Sequence, residues 1–554
     1  MNSDYELIES FVKGNETWSY LRHKRTGLEI AYHQCDTEEK GFSFCFRTPV
    51  EDFFLGTTHV LEHCVLSGSR KYDVTFLDLQ YFSLFSSTNA MTDEYGTRYY
   101  FCSIEEAEVF KMIPVLADYV FFPLLSEEAF MQECFHVEFD PSGDGRKKEI
   151  VGVVYNEIKA MAPGKTCIGG IYYKLHELTN KKIREYHKKY YKPDNCLFAY
   201  SGNSSLDEIL LQLNKFVPEL EEKFKSGKPS PRKNLIIEEF LQQVPFLEVP
   251  ENLEEPNHAH WIFNEGCGIC RPFEDYWLDG VSPLMPFCLD DKYAYTEYCW
   301  WEKNTMDNYA IPLPPKKSIQ KIIPEYLASF SPQEYQTKLE KLHKWLARDT
   351  RDEARKIMEP LAIAEYDIKF NKTEEELRKD FERHKSLITT RDSREPDVYT
   401  EIDENSCRLF LRASQLLSRY YYAEYAFMFF MEYYLSSKLR KVGGIYCGGI
   451  GYKYPADFVL GVNYTDNPQK TIEVIKECFK ELSGYNFTET DIISIKYNVF
   501  NFLLSHRNIE FFFTEEILTV KPGELHQAAV RFRDMIYPPK KDETYYYTLG
   551  EAVK

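Results

Sequence analysis

The sequence predicts an α+β protein: two domains of mixed sheet flanked by helices, joined by a mainly helical or irregular middle region. Three observations carry this. Short alternating apolar runs and 3.6-periodic runs follow one another without a strict strand-helix-strand repeat up to about residue 225. The composition then turns Pro-punctuated and charged from about 226 to 400. From Ser406 the mix of strand and helix patterns resumes to the end. The expected organisation is therefore 1–225, 226–400 and 401–554.

Taken in order, residues 17–48 alternate in strand fashion around turn signals, with Leu28–Tyr32 and Phe42–Phe46 as the clearest strands. A helix is predicted from about Thr57 to Leu66, with Gly68 as its stop. Thr97–Ser103, rich in Tyr and Phe, reads as a strand and Glu105–Phe121 as a helix. Glu149–Met161 and Ile183–Tyr191 read as helices, and Cys196–Tyr200 as a short strand running into Gly202. In the middle region Pro229, Pro231, Pro245, Pro250 and Pro256 punctuate one stretch, and Pro312, Pro314 and Pro315 mark a second break. Residues 332–389 read as charged, solvated helix, as in Lys338-Leu339-Glu340-Lys341-Leu342. The last segment holds a long aromatic helix, a glycine-rich turn at 443–451, a strand near 458–464 and a helix from Gln469 to Leu482.

Bulk composition excludes several functions. A net charge of -20 argues against nucleic acid as a partner, because a phosphate backbone needs a basic surface. The most apolar run, Tyr420–Leu435, is broken by Glu424 and Glu432, which fits a buried helix rather than a membrane span. Fourteen cysteines without a framework spacing read as reduced thiols. The first residues, Met1-Asn2-Ser3-Asp4-Tyr5-Glu6, are acidic and lack an apolar or Arg-rich leader pattern, so a cytoplasmic location is expected.

The stretch that points to chemistry is His59-Val60-Leu61-Glu62-His63. Four residues of helix turn about 400°, so His59 and His63 project from one face, with Glu62 about 60° to the side of His59. Two imidazoles can hold zinc, and a neighbouring carboxylate can act on water at the metal. The order is the inverse of the commoner His-Glu-x-x-His helix. A third ligand must come from another element. Glu157, on the predicted 149–161 helix, is the candidate, although spacing alone does not select it among 87 acidic residues. His258, His260, Cys267 and Cys270 form a second His/Cys cluster whose spacing suits zinc only loosely.

The run Phe54–Tyr72 around this motif closely resembles the active-site helix of the presequence protease branch of the pitrilysin/insulinase metallopeptidases. Asn89-Ala90-Met91-Thr92, Gly152–Lys159 and His187–Asn195 resemble later segments of the same catalytic domain, in the same order. Leu439–Gly449 resembles the family's last domain. The resemblance implies two pitrilysin-type α/β domains and one catalytic Zn2+ held by His59, His63 and Glu157, with Glu62 as general base. It implies that Asn89 and Ala90 hold the substrate backbone as an added strand. It implies also that Arg440 and Tyr446 stabilise the oxyanion. Members of this branch carry four α/β domains, and this chain is too short for four. The expected function is a zinc metalloendopeptidase acting on short unfolded peptides, with a homodimer as one way to rebuild the enclosure. The alternative is a catalytically inactive peptide-binding or partner subunit on the same scaffold.

Overall fold

The computed structural model describes residues 4–13, 15–48, 55–92, 96–139, 148–161, 170–224, 316–358, 373, 375–379, 397–403, 406–415, 417–443, 449–453, 457–463, 465, 467–505 and 514–538. They divide into two compact units. The first holds the described residues up to 358 together with 440–443 and 497–505; the second holds the remainder.

The first unit is built on a seven-stranded sheet. Its strands are β1 (Tyr5–Lys13), β2 (Glu16–His23), β3 (Glu29–Gln34), β4 (Lys40–Phe46), β5 (Ser87–Thr92), β6 (Thr97–Ser103) and, later in the chain, Cys196–Gly202. Their order is β1-β2-β3-(Cys196–Gly202)-β4-β6-β5. The single parallel pair joins β3 to Cys196–Gly202, with Ile30 opposite Phe198, and the other pairs are antiparallel. The sheet is therefore mixed, and the fold class is α+β as predicted. The centre of this sheet is aromatic: Phe42, Phe44, Phe46, Phe101 and Phe198 are fully buried. Each such ring contributes about 1.5–3 kcal/mol by leaving water.

Helices cover the sheet. After β4 come α1 (Thr57–Val65) and α2 (Phe76–Gln80). After β6 comes α3 (Glu106–Phe121), which packs on β4 and β6, and then α4 (Glu127–Glu133). The hairpin β7 (His136–Phe139) and β8 (Lys148–Val151) leads into α5 (Val153–Met161). Helix α6 (Asn180–Tyr190) precedes Cys196–Gly202, here β9, which is followed by α7 (Leu206–Leu213) and α8 (Val217–Lys223). Helices α9 (Lys316–Ser329), α10 (Pro332–Leu346) and α11 (Arg351–Met358) also belong to this unit, with α10 against α4 and α11 against α2.

The predicted 149–161 helix is split. Lys148–Val151 pairs with His136–Phe139 as strand, and the helix starts only at Val153. Gly152 lies at the break because a Cβ there would sit 2.3 Å from the Cys134 carbonyl oxygen and 2.6 Å from Phe135 Cα. A side chain would push this junction away from the end of α4.

The second unit has a four-stranded antiparallel sheet of β10 (Val398–Ile402), β11 (Ser406–Arg412), β12 (Gly449–Lys453) and β13 (Asp457–Asn463), ordered β10-β11-β13-β12. The aromatic helix α12 (Arg419–Gly443) lies between β11 and β12 in sequence. Its ring contacts join the unit: Tyr421 stacks on Phe458, Phe427 on Phe532, and Phe430 meets Phe487 edge-on. Glu424 is buried on this helix and satisfied by Ser414 and Arg531. Helices α13 (Pro468–Ser483), α14 (Glu489–Ser505) and α15 (Pro522–Ile536) follow, with α13 packed on β11 and α15. Among the described residues no helix is long and apolar enough to cross a membrane.

Candidate metal centre

Helix α1 is the scaffold of the site. Gly56 precedes it in the left-handed region at φ 58°, a conformation that favours glycine. The backbone of Gly170 comes close enough to Gly56 that a Cβ at 170 would lie 2.6 Å from the Gly56 nitrogen. From Thr57 to Val65 every residue except His59 is buried, so α1 runs through the interior against α4, α6 and β5. Val60, Leu61, Cys64 and Val65 supply the apolar contact surface. The polar trio His59, Glu62 and His63 is thereby held in a low-dielectric setting.

His59 and His63 do share a face. Their rings are 4.8 Å apart between centroids, at 85°. Helix α5 brings Glu157 to them: its Oε2 lies 3.6 Å from His59 Nε2 and 3.6 Å from His63 Nε2. All three donor atoms fall within 4.8 Å of one another. Ligands about 2.1 Å from a tetrahedral ion stand roughly 3.4 Å apart, so two imidazole nitrogens and one carboxylate oxygen at these separations fit zinc. A further observation supports the fit. Glu157 Oε2 is buried and has no hydrogen-bond partner, although it faces two imidazoles. Burial pushes the Glu157 carboxyl up to about 7, with His63 and Arg440 opposing and Glu62 and Glu133 adding to the shift. A buried carboxylate left this way is costly unless a cation joins it.

Glu62 also stands above the ordinary carboxylate range. Burial is the main cause, opposed by His63, by a hydrogen bond from Thr92 and by Arg98. The Thr92 hydroxyl donates to Glu62 Oε2 at 2.6 Å. For His63, burial disfavours the imidazolium, but the Glu133 hydrogen bond and the charges of Glu157, Glu133 and Glu62 outweigh it and raise the pKa. Glu133 receives His63 Nδ1 on its Oε2 at 3.1 Å. Burial would raise Glu133, yet Arg440 and His63 together hold it below the usual carboxylate range. Arg440 Nη2 lies 3.7 Å from that same Oε2.

Asn89 and Ala90 lie on β5, an edge strand of the seven-stranded sheet, opposite Tyr100 and Tyr99 of β6. Asn89 is exposed, and its Oδ1 accepts from the Ala90 backbone N–H at 2.9 Å. Thr92, three residues on, touches Glu62, so β5 joins the site directly. Tyr446 lies outside the described residues, as do His258, His260, Cys267 and Cys270. The described cysteines are free thiols. Sequence reasoning did not single out Glu133 or the Thr92 contact. Thr92 sits inside a segment already notable for its family resemblance, whereas nothing in the spacing around Glu133 marks it.

Residues 51–141 match the family profile described as "Insulinase (Peptidase family M16)", and residues 177–269 match "Peptidase M16 inactive domain". A stretch of 256 residues is 34% identical to "Presequence protease 1, chloroplastic/mitochondrial" of Arabidopsis thaliana, covering 42% of this chain and 23% of that protein. "Presequence protease, mitochondrial" of Debaryomyces hansenii is 28% identical over 300 residues, 50% of this chain and 27% of that protein. An "Uncharacterized protein" of Borreliella burgdorferi is 30% identical over 315 residues, 53% of this chain and 31% of that protein. The chain thus spans about a quarter to a third of the length of these relatives. By these matches residues 51–141 and 177–269 are similar to peptidase family M16. Two of the relatives matched are named as presequence proteases, and the similarity to them extends over 42% and 50% of this chain.

The expected cytoplasmic location does not stand. The plant and yeast relatives are named as chloroplastic or mitochondrial proteins. That expectation rested on the composition of six residues, which bears on a leader pattern and not on where a protein works.

Proposed function

We propose that this chain is a zinc metalloendopeptidase that cleaves short unfolded peptides. His59, His63 and Glu157 would hold the metal, and their convergence is the observation that carries the reading. Zinc, when bound, supplies an electrophile that polarises a peptide carbonyl and acidifies water. Glu62, on the same helix as both histidines, takes the proton of the attacking water and delivers it to the leaving amine. Burial suits it to this task, because a carboxyl pushed above its usual range is a better proton acceptor. The Thr92 hydroxyl fixes the orientation of the Glu62 carboxylate.

Among the described residues β5 is an outer strand of its sheet, and its outer edge offers main-chain hydrogen-bonding groups to an extended peptide, with Asn89 and Ala90 at the contact. Such binding reads backbone rather than sequence, which suits varied unfolded peptides. The family resemblance adds Arg440 and Tyr446 as donors to the oxyanion of the tetrahedral intermediate. An organellar setting and a homodimer that completes the substrate enclosure belong to the same proposal. The first rests on the names of the relatives. The second is carried over from the sequence expectation alone, and the mass of the purified protein in solution tests it.

An inactive peptide-binding subunit is the reading to weigh against this one. The profile named as inactive covers residues 177–269, which include none of His59, Glu62, His63 and Glu157. All four side chains needed for metal and base are present and adjacent. The deciding experiment is hydrolysis of a quenched fluorescent peptide by the purified chain. Activity that chelation removes, zinc restores and Glu62→Gln abolishes supports the enzyme. Zinc-replete wild-type protein that cuts no peptide in a broad unfolded set establishes the binding subunit instead.

A further inference from the structure

A histidine that ligates a metal through Nε2 must carry its proton on Nδ1, and whatever accepts that proton sets both tautomer and ring plane. For His63 the acceptor is a side chain, Glu133, with Oε2 3.1 Å from Nδ1. Glu133 ends helix α4 and is buried. A lone carboxylate at such a place is expensive to keep charged. Arg440 lies 3.7 Å from the same oxygen and provides the compensating charge. The two segments are tied at adjacent residues as well: the Gln132 side-chain amide donates to the backbone carbonyl of Arg440, a residue 308 positions along the chain.

We infer that Glu133 and Arg440 form a charge pair that positions His63 for the metal. Arg440 acts through Glu133, and Glu133 acts through His63; both are positioning residues in this role. The inference rests on the proposed metal centre and deepens it. It gives Arg440 work that precedes substrate binding, distinct from the oxyanion contact. It also makes the metal affinity of α1 depend on a side chain at the end of the aromatic helix α12.

The test is zinc affinity by competition with a chromophoric chelator, together with the visible spectrum of the cobalt(II)-loaded protein. Glu133→Gln keeps the size of the side chain and removes its charge. It is expected to weaken zinc binding about 10- to 100-fold, as loss of a ligand's carboxylate partner does, and to shift the cobalt bands. Arg440→Gln should weaken binding by a smaller factor, and Arg440→Lys, which keeps the cation, should recover most of it. The double variant Glu133→Gln/Arg440→Gln should bind no more weakly than Glu133→Gln alone, because Arg440 has then lost the group it acts through. Thermal melts of the metal-free proteins check folding, and if Glu133→Gln does not fold, the Arg440→Gln and Arg440→Lys pair decides. Wild-type-like zinc affinity and cobalt spectrum in folded Glu133→Gln overturn the inference while leaving the metal centre intact. So does an Arg440→Gln effect that persists undiminished in the Glu133→Gln background. Wild-type protein that binds neither metal overturns the metal reading and this inference with it.

Discussion

Glu157→Gln should make the metal-free protein more stable at alkaline pH, at the expense of its affinity for metal. The carboxyl is buried, its Oε2 lacks a hydrogen-bond partner, and its pKa is pushed up to about 7 from an ordinary 4.5. In the unfolded chain it ionises near 4.5, and in the fold only near 7. Between those values the folded state binds the extra proton, so its stability advantage is full below 4.5 and is lost as pH rises through 7. The shift of about 2.5 units corresponds to about 3 kcal/mol at 1.36 kcal/mol per unit. Gln has the same shape and cannot ionise, so it removes this term. Urea denaturation in chelator at pH 5 and pH 8 measures it. The stability of Glu157→Gln relative to wild type should improve by roughly 2–3 kcal/mol between the two pH values. Saturating zinc should reverse the ranking at pH 8, since ligation stabilises only the wild-type fold strongly. Parallel pH profiles for the two metal-free proteins would refute the claim that Glu157 is an uncompensated carboxylate waiting for a cation.

Thr92→Val removes the hydroxyl that donates to Glu62. It should lower kcat about tenfold with little change in KM, and move the acid limb of the pH–rate profile upward, because that hydrogen bond favours the ionised base. His187 is buried, its Nε2–H donates to the Val120 carbonyl, and burial lowers its pKa to about 4. The unfolded chain takes up this proton near 6.5 and the fold only near 4, so the protein should lose up to about 3 kcal/mol as pH falls from 6.5 to 4. His187→Gln should flatten that part of the acid-denaturation curve. Gly152→Ala places a Cβ against the backbone of Cys134 and Phe135. It should cost about 3 kcal/mol in denaturant unfolding and weaken metal binding, because α5 carries Glu157.

The parts legible in the sequence are those set by local geometry. The helix that carries both histidines is predicted at 57–66 and observed at Thr57–Val65, because the His59/His63 spacing and the Gly68 stop are both local signals. The strand at Thr97–Ser103 is found with those bounds, its Tyr and Phe residues belonging to a half-buried pleat. Strand β1 was not assigned: Leu7 and Val12 are exposed on an edge strand, so burial leaves little pattern there. The stretch 149–151 holds β-branched Ile150 and Val151 just before Gly152, a short strand signal that a continuous helix over 149–161 overlooks, and it pairs with His136–Phe139. Glu157 became identifiable through family resemblance rather than spacing. Glu133 and its contact with Arg440 are tertiary facts, joining α1, the end of α4 and the end of α12, with no signature along the chain.

The central claim is that His59, His63 and Glu157 together hold one zinc ion. Elemental analysis of the purified wild-type chain, reconstituted with zinc and desalted, tests it most directly alongside His63→Ala and Glu157→Ala. The account predicts about one zinc per wild-type chain and well below that in both variants. Wild-type protein that retains no zinc, or variants that retain as much as wild type, would contradict it.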